Sequence, residues 1–239
     1  MMVKAFLLVN LFLAGCSKDL APASSGDTIK ILFVGNSLTY TNDLPAMVRE
    51  MGNLDGKIIS YYSILLPGYS LEDHWNTGNV QAEIEKGGYD FVVAQQGPSA
   101  LPESQSLLLE YAGRFAKICR DNNSKMALFM VWPSKARLFD LDSVIYSYKH
   151  AAEITGSLVC PAGLGWKYAW EANSALVLYG PDDFHPGIDG SVLAALVIYG
   201  TLAKKSDFDF LDYQKCSWKN DMDKKTLALL KEAATRALQ

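Results

Sequence analysis

The segment ILFVGNSLTY, residues 31–40, runs from an apolar stretch through one glycine directly into polar residues, the first hydroxyl being that of Ser37. A serine hydroxyl is a weak nucleophile until a neighbouring base takes its proton. The sequence holds three histidines, His74, His150 and His185. His185 lies in GPDDFHPGIDG, with Asp182 and Asp183 shortly before it. A loop carboxylate at that spacing can turn back, accept the imidazole proton, fix the tautomer and support the charged ring. Singly, each feature has a plain structural reading. Ser37 fits an ordinary strand-to-helix turn, and the Asp182–His185 spacing fits a surface turn with a helix cap. His150, beside Lys149, reads as a surface residue of a helix. His74, in LEDHW, is a rival base that equally suits a helix start packed on Trp75, with Glu72 and Asp73 as caps.

The elements around these residues alternate. Residues 29–34 form a short continuous apolar run, as in a strand covered on both faces. Residues 44–51 read as a helix with Pro45 in its first turn, 57–66 as a strand, 80–86 as a short helix and 91–94 as a strand. Residues 103–122 form a long amphipathic helix. Residues 126–132 read as a strand stopped by Pro133, 141–155 as a helix and 158–160 as a brief strand. Residues 188–203 are apolar nearly all round and predict a buried helix; 224–238 close the chain as an amphipathic one. This order predicts an α/β fold with a parallel sheet between two helical layers. Ligands of such sheets gather beyond the carboxyl ends of the strands, which brings together residues 35–42, 67–73 and 95–101 and leaves room for a late segment. Trp132, at the end of the fourth strand, is either a pocket wall or a core aromatic. Tyr168 and Trp170 could border the same cleft, although amphipathic packing accounts for them.

The first residues carry a different message. MMVKAFLLVNLFLAGC has Lys4 followed by an apolar run of about ten residues, half of what a membrane-spanning helix needs. Leu13-Ala14-Gly15-Cys16 resembles a bacterial lipobox, which implies a signal peptide over 1–16 and lipidation of Cys16. Ser17 after the cysteine favours the outer membrane by resemblance to the usual sorting rule. Residues 17–27 are small, polar and proline-containing and read as a tether; residues 28–239 read as a single domain. The expected location is the bacterial cell envelope, lipid-anchored and facing the periplasm. The hydrophobic content of 49% can build a large core, and the net charge of −4 without a basic run argues against nucleic acid as a partner. Cys119, Cys160 and Cys216 read as buried free thiols, and no CxxC or His/Cys cluster suggests a metal.

Taken together, the motifs resemble a known family. Gly35-Asn36-Ser37-Leu38 and Asp182-Asp183-Phe184-His185-Pro186 resemble the first and last sequence blocks of the SGNH/GDSL hydrolases. Gly68 in LLPGYSLEDHW matches the glycine of the second block, and Gln96-Gly97-Pro98-Ser99 falls at the third. The blocks occur in order across most of the mature chain. The resemblance implies a flavodoxin-like three-layer α/β/α sandwich with a mostly parallel sheet, and hydrolysis of an ester or thioester without a cofactor. It makes Ser37 the nucleophile, His185 the base and then acid, and Asp182 the orienting carboxylate. The amides of Ser37 and Gly68 are the natural oxyanion donors, glycine letting the main chain approach the substrate oxygen. The first block carries Asn36 where aspartate is usual, and the third has Ser99 where an asparagine donor is usual. Ser99 and a glutamine, Gln96 or its neighbour Gln95, are the expected substitutes, strand alternation allowing only one of the two to help. The implied function is a serine esterase acting on O-acyl esters, with carbohydrate acetyl esters suited to a periplasmic lipoprotein. The competing reading is a catalytically weakened ligand-binding lipoprotein on the same fold. Nucleotide binding is disfavoured, because GNSLTYTND has no glycine-rich phosphate loop.

Overall fold

The computed structural model describes residues 28–239; the signal, lipidation and tether expectations on 1–27 lie outside them. Strands β1 (Thr28–Gly35), β2 (Ile58–Leu65), β3 (Phe91–Ala94), β4 (Lys125–Phe129) and β5 (Leu158–Cys160) form one sheet in the order β2-β1-β3-β4-β5. Every pairing is parallel, with Leu32 of β1 opposite Tyr62 on one side and Val92 on the other. Central β1 is buried on both faces from Ile31 to Val34, which explains its unbroken apolar run. β2 is an edge strand and alternates instead, with Ile59 buried and Ile58 and Tyr62 about half exposed.

The crossover helices pack into two layers. Helices α2 (Leu44–Leu54), α7 (Ala162–Ala172), α8 (Ile188–Ala203) and α9 (Lys224–Ala237) contact one another on one face. Helices α3 (Leu71–Thr77), α4 (Asn79–Glu85), α5 (Pro102–Asp121) and α6 (Leu141–Thr155) cover the other. The sheet and its two layers are the three-layer α/β/α sandwich the sequence blocks implied. From β1 the chain moves outward to β2, then crosses back over β1 to β3. The strand order therefore reverses between β1 and β3, where sheets of this kind bind ligands. The short helix α1 (Ser37–Tyr40) starts at that point.

Two local differences from the sequence reading have clear causes. The expected strand over 126–132 leaves the ladder after Phe129: Met130 still donates to the Cys160 carbonyl at 3.0 Å, and its own carbonyl accepts from Gly163 of α7 at the same distance. Helix α7 was not assigned from the sequence, where AGLGWKYAWEA carries two glycines in its first four residues. Among the described residues, no helix is long and apolar enough to cross a membrane.

Helix α8 is buried all round, and Gly190 makes its approach possible. A Cβ on Gly190 would lie 2.3 Å from the Leu178 carbonyl oxygen and 2.4 Å from the Trp166 ring. Gly190→Ala should therefore cost about 1–3 kcal/mol through overpacking. A urea midpoint equal to that of the parent protein would contradict this packing.

Candidate active site

Ser37 follows the end of β1, where two side-chain amides, those of Asn36 and Gln95, fix the turn. Asn36 is the N-cap of α1: its Oδ1 accepts from the Leu38 amide at 3.0 Å. Its Nδ2 donates to the Tyr69 carbonyl at 2.9 Å, tying this turn to the loop after β2. An aspartate could keep the cap but not that donor, so asparagine here is a specific fit. Gln95, fully buried, accepts at its Oε1 from the Asn36 amide at 3.1 Å and from the Thr39 hydroxyl at 3.0 Å, and donates to the Gln96 carbonyl at 2.6 Å. Gly35 has no Cβ because one would sit 2.6 Å from Gln95 Oε1. The Ser37 side chain emerges half-buried from this frame.

From the far end of the chain, His185 arrives on a loop ahead of α8. Ser37 Oγ lies 2.8 Å from His185 Nε2, and His185 Nδ1 lies 2.5 Å from Asp182 Oδ2. An ionised carboxylate only accepts, so the proton sits on Nδ1 and Nε2 is left to accept from the serine. Asp182 also accepts from the amides of Phe184 and His185 through Oδ1, at 3.1 and 2.9 Å. The His185 ring, with those two amides, holds its carboxyl down to about 2, below the ordinary 3.8. The histidine side chain is one-third exposed and the aspartate about half exposed, so the chain of bonds opens to solvent.

The histidine loop is braced by the core. Trp132 is fully buried, stacks on Trp166 at 3.6 Å between centroids, and donates from its indole to the Phe184 carbonyl at 3.2 Å. It is therefore a core support and not a pocket wall. The Tyr179 hydroxyl donates to the Pro133 carbonyl at 2.7 Å, and Lys135 pairs with Asp183 at 3.0 Å. Sequence reasoning did not find these supports; an indole at a strand end gives no sign of which carbonyl it will meet.

His74 is not placed as a base. It is fully buried, with Nε2 2.8 Å from the Gly35 carbonyl, which accepts its proton. Burial pushes its pKa down, which favours the neutral ring. Gly68 occupies a left-handed position (φ 72°) in a turn closed by Tyr69 N–H to the Leu66 carbonyl at 3.2 Å. The amides of Ser37 and Gly68 have no acceptor among the described residues. Gln96 and Ser99 do not serve as the expected oxyanion donors. Gln96 Nε2 donates to Ser99 Oγ and to the Ser104 carbonyl, at 3.0 and 3.2 Å, and the Ser99 hydroxyl donates to the Gly97 carbonyl at 3.1 Å. Both side chains are buried and their donors are engaged in shaping the loop after β3.

A cleft of about 300 Å³ opens beside Phe184, between Pro98 and Leu101 on one side and Pro133 and Arg137 on the other. Larger cavities lie elsewhere: one of about 460 Å³ behind the Lys135–Asp183 pair, and one of about 400 Å³ where α8 and α9 end. Cys119, Cys160 and Cys216 are buried and unpaired, and burial lifts each thiol to about 12, which makes them poor nucleophiles.

The lowered pKa of Asp182 has a measurable consequence. A carboxyl depressed in the folded state contributes stability above its unfolded value near 3.8, and that contribution fades as pH falls toward 2. The melting-temperature gap between parent and Asp182→Asn should therefore narrow between about pH 4 and pH 2. A gap that stays constant across that window would contradict the assignment.

No protein-family model matches the sequence, and no curated protein matches it. Solved structures do match. An SGNH hydrolase candidate from Slackia heliotrinireducens is 25% identical, with a TM-score of 0.61 over 74% of this chain and 100% of that one. A DUF4886 family protein from Bacteroides uniformis ATCC 8492 aligns with a TM-score of 0.73 at 18% identity, over 88% of this chain and 95% of its own. A variant of an acetyl xylan esterase from Geobacillus stearothermophilus aligns at 0.56 and 14% identity, over 78% and 98%. The sequence blocks at the switch point and the parallel five-stranded sheet agree with these likenesses: the chain has the three-layer fold of the SGNH hydrolases it resembles.

Proposed function

We propose that this protein is a serine esterase that hydrolyses O-acyl esters through Ser37, His185 and Asp182, with short acyl groups, and acetyl groups on carbohydrate in particular, as its substrates. The observation that carries the reading is the unbroken run of hydrogen bonds from Ser37 Oγ through the imidazole to Asp182. In the first step Ser37 Oγ bonds to the acyl carbon while its proton passes to His185 Nε2. The carbonyl oxygen becomes an oxyanion that the free amides of Ser37 and Gly68 can receive. Collapse breaks the bond to the alcohol oxygen, which takes the proton from His185 and leaves an acyl-serine. Water then attacks with His185 again as base, and the acid and free Ser37 are released. The Gly97 amide, also without an acceptor among the described residues, stands in this reading where Gln96 and Ser99 do not. The acetyl xylan esterase likeness supports an acetyl substrate without fixing it.

Anchoring belongs to the same proposal. Cys16 would be lipidated and hold the protein at the outer membrane, facing the periplasm. In cells fed an alkyne fatty acid, the protein should take up label and Cys16→Ala should not. Equal labelling of the two would remove the anchor.

For the activity, a form beginning after Cys16 is treated with a fluorophosphonate probe and assayed on aryl acetate, butyrate and longer esters. Ser37→Ala should abolish labelling, and both Ser37→Ala and His185→Ala should lower kcat by about three powers of ten or more. Labelling that survives Ser37→Ala would sink the nucleophile. A folded parent that neither labels nor turns over short esters would favour the ligand-binding reading.

A further inference from the structure

Only a few side chains join the serine arm to the histidine arm, and one of them has no part in the reaction scheme above. Asn42 follows α1 and donates from Nδ2 to the Pro186 carbonyl at 3.0 Å and to Ser191 Oγ at 2.9 Å. Both amide hydrogens are thus committed to the segment that carries His185: Pro186 is its immediate neighbour, and Ser191 is a fully buried residue in the opening turns of α8. Asn42 is held there in left-handed backbone (φ 57°), and so is Asp43 after it (φ 51°). Such conformations are uncommon outside glycine, asparagine tolerates them best, and consecutive cases persist only where surrounding contacts hold them.

We infer that Asn42 is a positioning residue that sets the distance between Ser37 and His185, resting on the esterase reading for its catalytic consequence. The histidine loop is internally braced: Asp182 is bonded to the ring and to two amides of its own turn, and Gly180 donates to the His185 carbonyl at 2.7 Å. That bracing fixes the loop's shape but not its register against the nucleophile turn. The serine turn is likewise fixed by Asn36 and Gln95, within its own side of the site. Apart from the Ser37–His185 bond itself, the side-chain hydrogen bonds that cross between the two arms come from Asn42. Its neighbour in the chain, Asp43, leads directly into α2, so the clasp is seated on a helix that packs against α8.

The test uses two substitutions that keep the backbone conformation available. Asn42→Gly removes the amide without backbone strain. Asn42→Asp keeps size and shape but places an oxygen where the donating Nδ2 stood. In each, kcat and the fluorophosphonate labelling rate should fall about 10- to 100-fold with KM within about twofold, as expected for a misplaced but intact catalytic pair. Melting curves should show both variants folded. A second readout needs no activity: the 15N resonance of His185 Nε2, with Ser37→Ala marking its position when the serine bond is absent. Both Asn42 variants should move that resonance toward the Ser37→Ala position. Folded variants whose Nε2 resonance stays at the parental position, or whose labelling rate matches that of a reactive parent, would overturn the inference. A parent that never reacts with ester or probe would instead remove the esterase reading, leaving the resonance to decide the role of Asn42.

Discussion

The hydrogen bond from Ser37 to His185 Nε2 is 2.8 Å long and joins residues 148 apart in sequence. Much of the architecture can be read as what that contact requires. The serine must leave the sheet at the β1 end nearest the strand-order reversal, and the histidine must come back over the same rim from the entry of α8. A contact with this sequence separation is entropically costly to close and cannot hold itself together. It is held because β1 is locked between β2 and β3, and because α8 is buried on every side against the same sheet.

Around that contact the protein relies on neutral amides. Asn36 and Gln95 each donate and accept, while Asn42 uses both of its donors. At a buried position an amide supplies both kinds of partner with no charge to desolvate. A carboxylate at Asn36 would meet the Tyr69 carbonyl with a second acceptor. The one carboxylate of the hydrogen-bonded run, Asp182, is instead about half exposed, where solvation keeps its charge inexpensive. The departure from the usual first block and the glutamine-rich third block therefore belong together: Gln95 accepts from the backbone amide of the very residue whose side chain reaches across to the loop after β2.

The parts of this fold that were legible in sequence were those governed by local pattern. Helices α6 and α8 and the brief β5 follow from apolar runs with definite ends, and the parallel sheet follows from the alternation of strands and helices. Ser37, His185 and Asp182 could be named because two short blocks sit at the places where a parallel sheet gathers its loops. What was not legible depended on side chains meeting across the fold. Ser99 looked like a donor to the site because it fills the asparagine position of the third block, and Gln96 because alternation was carried past the end of the strand. β3 stops at Ala94, and beyond it the chain turns, so that Gln96 bonds to Ser99 and Ser104 instead. Trp132 was ambiguous because the same residue type suits a cleft or a core, and its stacking on Trp166 depends on α7, whose glycine-rich opening hid it. Asn42 gave no signal in sequence, as a left-handed asparagine is recognised only from its torsion.

The direction of β1 carries a consequence for the whole molecule. The strand has eight residues, about 26 Å at 3.3 Å each, and Thr28 lies at its far end from the serine turn. A lipid at Cys16 would attach to the body through that far end. That attachment would lie at the opposite end of the strand from Ser37, leaving the rim where Ser37 and His185 meet clear of the point where the body is tied.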